Sequence, residues 1–111
     1  MREPTFYVLA ALLRGPLHGY AIMKRAEELS GGRVRLATGT LYTALDRLTA
    51  EGHVELVSEE RVAGRVRRTY GLTEGGSAAL RAEAVRMAEA ARLVTDGGAG
   101  TEAGARKLRT T

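Results

Sequence analysis

The spacing of apolar positions divides the chain into segments of different period. After Pro4, Phe6, Leu9, Ala10 and Leu13 recur at steps of three and four, and Val8 and Leu12 widen the stripe. That pattern predicts a first helix that is apolar around much of its circumference. Gly15 and Pro16 end it. From Leu17 or His18 a second helix is predicted to about Leu29, with Ile22, Ala26 and Leu29 inward and Lys24, Arg25, Glu27 and Glu28 outward, until Ser30, Gly31 and Gly32 stop it.

A third helix is predicted between Thr38, as N-cap, and Gly52, as the residue past its end. Leu41, Leu45 and Leu48 share one face, and Thr40, Thr43, Asp46 and Arg47 the other. The period then changes to two. Val54 and Leu56 face one way and His53, Glu55 and Val57 the other, and after a polar segment with Gly64 at its tip, Val66 to Leu72 return as a second strand. Thr73 is the predicted cap of a last helix, with Glu74 favourably placed in its first turn and Gly75 and Gly76 weakening its start. Beyond them Leu80, Ala84, Met87, Ala91 and Val94 keep the spacing of a coiled-coil seam. From Asp96 the periodicity is lost and a disordered tail over residues 96–111 is expected.

A helix, a break, a second amphipathic helix opening on small polar residues, and then a hairpin form the order of a winged helix-turn-helix. The expected fold class is α+β, mainly α, with a DNA-binding domain over residues 1–72 and a C-terminal dimerisation helix over 73–95. The last helix has two packing options: against the first helix of its own subunit, or against a second copy. The apolar surplus on the first helix favours the second, with Phe6, Leu9, Leu13, Leu80, Ala84, Met87, Ala91 and Val94 as the dimer interface.

The 111 residues suffice for one small domain. With no Cys and two His, disulfides and thiolate metal ligands are excluded, and neither a metal nor a cofactor is expected. His18 and His53 stand at no catalytic spacing, and the adjacent pairs Glu27–Glu28 and Glu59–Glu60 diverge instead of converging on a substrate, so an enzyme is not expected. No apolar run reaches membrane-spanning length, and no leader pattern opens the chain; a cytoplasmic protein is expected.

The net charge of +4 does not by itself identify a partner. Its distribution says more. Arg61, Arg65, Arg67 and Arg68 cluster around the hairpin tip, partly opposed by Glu59 and Glu60. As an isolated cluster they read as a solvated face; directly after the helix pair they become a wing able to reach phosphates. The third helix opens on small hydroxyls and Tyr42 instead of long charged side chains, so it can approach a DNA groove closely. The expected DNA-binding residues are Thr38, Gly39, Thr40, Tyr42, Thr43, Arg47, Arg65, Arg67 and Arg68. A winged-helix module gripping a protein partner is the alternative.

The segments LLRGPLHGYAIMKRAEELSGG from Leu12, GTLYTALDRLTAEGHVE from Gly39 and GRVRRTYGLTEGG from Gly64 resemble the PadR family of bacterial transcriptional regulators, in its shorter subfamily with a single C-terminal helix. The resemblance implies a bacterial homodimeric repressor, nucleoid-associated when bound, on a palindromic operator in double-stranded DNA, with Gly39, Thr40, Leu41 and Tyr42 opening the recognition helix, Tyr42 against DNA, and Arg67 and Arg68 in the wing. Tyr20 is expected to pack between helices. Thr38 and Thr43 stand where the family commonly has Pro. The resemblance also implies release by a small hydrophobic or aromatic effector, for which Phe6, Leu9 and Met87 are the candidate contacts; the chain lacks the Trp that some members use.

Overall fold

The computed structural model describes residues 1–108, and the side chains of residues 1–97. The first helix, α1, spans Glu3–Ala11, with Pro4 in the first turn, where a missing N–H breaks no intrahelical bond. It is shorter than the apolar repeat. Val8, Leu9 and Ala11 face inward, Leu12 is buried just past the end, and Leu13 lies beyond it, exposed.

Leu17–His18 form a short strand, β1, where the sequence predicted the start of a helix. Helix α2 follows over Gly19–Leu29, and His18 caps it, its Nδ1 accepting from the Ala21 N–H at 3.4 Å. Leu29, expected inward, is exposed. Ser30 takes a buried place instead because its hydroxyl is satisfied twice, donating to the Glu27 carbonyl at 3.1 Å and accepting from the Val34 N–H at 2.9 Å. Val34 completes the core at that end.

Helix α3, Thr38–Ala50, buries Leu41, Leu45 and Leu48 fully, as their spacing requires. Burial of each such side chain stabilises the fold by about 1.5–3 kcal/mol. The helix ends in a Schellman pair, the Gly52 N–H bonding to the Thr49 carbonyl at 3.0 Å and the His53 N–H to the Leu48 carbonyl at 2.9 Å.

Strands β2, Val54–Val62, and β3, Arg65–Leu72, form an antiparallel hairpin, and β1 pairs on the far side of β3, giving the order β1-β3-β2. The hairpin is longer than the apolar alternation indicated. Only its base is packed: Val54 and Tyr70 are buried, whereas Leu56 is exposed despite sharing the predicted face with Val54. The register shifts between Leu56 and Ser58, so Val57 is the extra residue of a bulge. The turn at the tip places Ala63 and Gly64 at φ 51° and 78°, the geometry of a tight two-residue hairpin loop.

Helix α4, Glu74–Leu108, starts from Thr73, whose hydroxyl accepts from the Gly76 N–H at 2.9 Å and donates to the Gly52 carbonyl at 2.6 Å. Gly75 and Gly76 do more than weaken this start. A Cβ on Gly76 would run into the His53 carbonyl, lying 2.8 Å from its carbon, so the helix reaches the base of the hairpin only because residue 76 has no side chain. The chain divides after Leu80, which is buried in the core with Leu9, Ile22, Leu45 and Val54, into units of Met1–Leu80 and the remainder from Arg81. The helix continues through Asp96 and Gly97, where a disordered tail was expected, because extending an existing helix costs far less than starting one. Residues 109–111 of that expected tail lie outside the described residues. No helix among the described residues is long and apolar enough to cross a membrane.

Burial pushes the Tyr70 hydroxyl above its usual pKa. The folded chain therefore holds this proton more tightly than the unfolded chain does. As pH rises through about 10, unfolding releases the proton more readily and stability falls. Urea titrations at increasing alkaline pH should show this decline, and Tyr70→Phe should flatten it.

Candidate nucleic-acid interface

The solvent face of α3 is built from what the core face leaves over. With Leu41, Leu45 and Leu48 pointing inward, Thr38, Gly39, Thr40, Thr43, Asp46 and Arg47 are all exposed. The N-cap is Ala37, not Thr38: residue 37 has extended dihedrals, Thr38 is already helical, and no side chain caps the terminus. The first N–H groups of α3 therefore emerge uncovered beside small side chains, an arrangement suited to an anion.

Tyr42 does not share that open face. One position past Leu41, it falls at the edge of the buried stripe and is half-buried, with its ring 6.4 Å from that of Tyr70. Its hydroxyl presses on Gly19, where a Cβ would lie 2.8 Å from Tyr42 Cζ. Tyr42 thus fixes α3 against the start of α2. Arg47 is also tied down. Its Nη2 donates to Thr5 Oγ1 on α1 at 3.0 Å, and its Nη1 lies 3.4 Å from Glu51.

The wing residues divide by partner. Arg68 is paired across the hairpin with Glu59 at 3.2 Å, and this carboxylate raises the guanidinium's pKa further. Glu60 stands opposite Arg67 in register, yet no ion pair joins them. Arg65 and Arg67 remain exposed and, among the described residues, unpaired. They line a groove of about 450 Å³ between the hairpin tip and the start of α2, together with His18, Tyr20 and Tyr42. Tyr20, expected to pack between helices, is 70% exposed and lines this groove instead. The sequence reading missed its surface position because an aromatic residue in the second helix reads as core. Its neighbour Gly19, the true inward position, carried the better signal.

The apolar residues assigned to a dimer or effector site are scattered. Leu9 is fully buried and Leu80 nearly so, both inside the core of the first unit, and neither can meet a partner or a ligand. Phe6 is half-buried, edge-on to Tyr7 at 5.3 Å. Leu13 is exposed, as are Ala84, Met87, Ala91 and Val94 in the second unit.

A family model described as the transcriptional regulator PadR-like family matches residues 8–82. The transcriptional regulator Rv3488 of Mycobacterium tuberculosis is 47% identical over 72 residues, which are 64% of this chain and 65% of that protein. The chain spans less than two thirds of the curated relatives it matches, 65% of that one and 23% of another, from Streptomyces fradiae. Among solved structures, a PadR family transcription regulator from Clostridium difficile superposes with a TM-score of 0.70 at 22% identity, over 86% of this chain and 97% of that one. PadR of Bacillus subtilis, solved in complex with operator DNA, superposes with a TM-score of 0.66 at 20% identity, over 98% of this chain and 75% of that one. At such identities the superpositions establish the winged-helix fold, and the match over residues 8–82 establishes the rest: this chain belongs to the PadR-like family of transcriptional regulators, a family of regulators and not of enzymes.

Proposed function

We propose that the chain is a homodimeric, sequence-specific DNA-binding regulator, acting as a repressor at a palindromic operator. The observation that carries this reading is the uncapped first turn of α3, with Gly39, Thr40 and Thr43 exposed and the unpaired Arg65 and Arg67 on the wing. Small side chains let the helix enter a major groove, and the arginines supply counter-charge for flanking phosphates. The family membership supports the same reading, as does the operator complex of the Bacillus subtilis relative.

Dimerisation is supported by the apolar side chains that α4 leaves uncovered, among them Met87 at 41% and Val94 at 74% exposure. Release by a small hydrophobic or aromatic effector is supported by the family resemblance alone. A dimer would place two recognition helices about 34 Å apart, one turn of duplex.

Selection of duplexes from a random pool by the purified chain tests the reading. Enrichment of a palindrome is expected, and a pool that stays random through repeated rounds contradicts it. Thr40→Ala and Thr43→Ala should change which base pairs are enriched while leaving the salt dependence of binding intact, because short hydroxyls on this face meet base edges. A uniform loss on every sequence would instead assign them to the backbone.

A further inference from the structure

A second groove, of about 710 Å³, borders α3 on its α1 side and is lined by Arg2, Thr5, Thr40, Thr43 and Arg47 over a floor that includes Val8. No carboxylate lines it. Its two cations differ. Arg47 is held by Thr5 at 3.0 Å and offset by Glu51 at 3.4 Å. Arg2 is exposed and, among the described residues, has neither an ion pair nor a capping bond. Its neighbour Glu3 is engaged elsewhere, 3.0 Å from Arg33.

We propose that this groove seats the sugar–phosphate backbone of the DNA strand running beside α3, with Arg2 as a phosphate ligand and the Arg47–Thr5 bond positioning α1 to present it. The proposal rests on the DNA-binding reading and extends it to the first turn of the chain. Charge and continuity select this occupant. The groove sets arginine and hydroxyl groups beside the apolar Pro4, Leu36 and Ala44, a mixture that suits phosphate and sugar together, and it shares Thr40 and Thr43 with the face that meets base edges, so a strand followed from those bases enters it. The wing then holds backbone on one side of the recognition helix and Arg2 on the other.

The test compares wild type, Arg2→Gln and Arg2→Lys on one palindromic duplex enriched by the wild type and on a random-sequence duplex, each titrated with salt. In a dimer, two lost phosphate contacts should flatten the slope of log K against log salt by about 1.8 and weaken binding roughly 10- to 30-fold near 0.15 M salt, on both duplexes alike. Arg2→Lys should restore most of the slope. A neutral methylphosphonate linkage at the contacted phosphate should weaken the wild type and leave Arg2→Gln unaffected. Equal affinity and slope for wild type and Arg2→Gln would overturn the proposal while leaving the DNA reading intact. Saturable binding of naphthalene in the groove, with the slope unchanged, would overturn it in favour of an apolar ligand. A wild type that binds neither duplex would remove both readings. Arg2 is exposed, so unchanged circular dichroism is expected throughout.

Discussion

Replacing Arg65 and Arg67 together with Ala is expected to weaken binding to any duplex by roughly 100- to 1000-fold near physiological salt, and to flatten the salt slope by about 3.6 in a dimer. Both side chains are exposed and unpaired among the described residues, and both line the groove between the hairpin tip and α2. The pair Arg67 and Arg68, which the sequence assigns to the wing, should have a smaller effect. Arg68 is held 3.2 Å from Glu59 and stays on that carboxylate instead of reaching a phosphate, so its removal loses no counterion release. Salt titrations of the two double variants against wild type distinguish the cases. Equal losses would mean that DNA breaks the Arg68–Glu59 pair.

Gly76→Ala is expected to destabilise the fold by about 1–3 kcal/mol, although helix propensity alone would have it stabilise by about 1 kcal/mol. The sign is decided by space. The added methyl would run into the carbonyl of His53, a backbone atom with little freedom because the adjoining Gly52 carbonyl accepts from Thr73 and the His53 N–H is held by Leu48. Gly39 provides the contrast: it too is helical, nothing lies within 4 Å of its missing Cβ, and Gly39→Ala should hold or raise stability. Urea denaturation of both variants measures the difference. A Gly76→Ala chain as stable as wild type would show that the hairpin base yields.

Elements with strong periodicity were legible in the sequence. Leu41, Leu45 and Leu48 fix the buried face of α3, and everything exposed on that helix follows from them. The hairpin was legible from its period of two, and Thr73 as a cap from its position before Glu74. What escaped the sequence reading depends on neighbours distant in the chain. β1 exists because β3 offers it an edge, a pairing of Leu17 with Tyr70 that no local pattern records. Tyr20 escaped because an aromatic residue can serve core or surface, and only the closeness of Gly19 to Tyr42 shows which of the two rings packs between the helices. Leu80 fitted an intermolecular seam by spacing and Leu9 belonged to the apolar surplus of α1, but both are consumed by the core of their own unit. The opposition of Glu59 and Glu60 to the wing arginines was legible, but which arginine is paired was not, because Glu59 faces Arg68 only through the register of the strands.

The most direct test of the central claim is a hydroxyl-radical footprint of the purified chain on a palindromic duplex it has enriched, in the presence of excess competitor DNA. Two protected segments related by a two-fold axis, with centres about 10 base pairs apart and persisting as salt is raised, are the expected result. Diffuse protection that disappears with competitor or salt would contradict it.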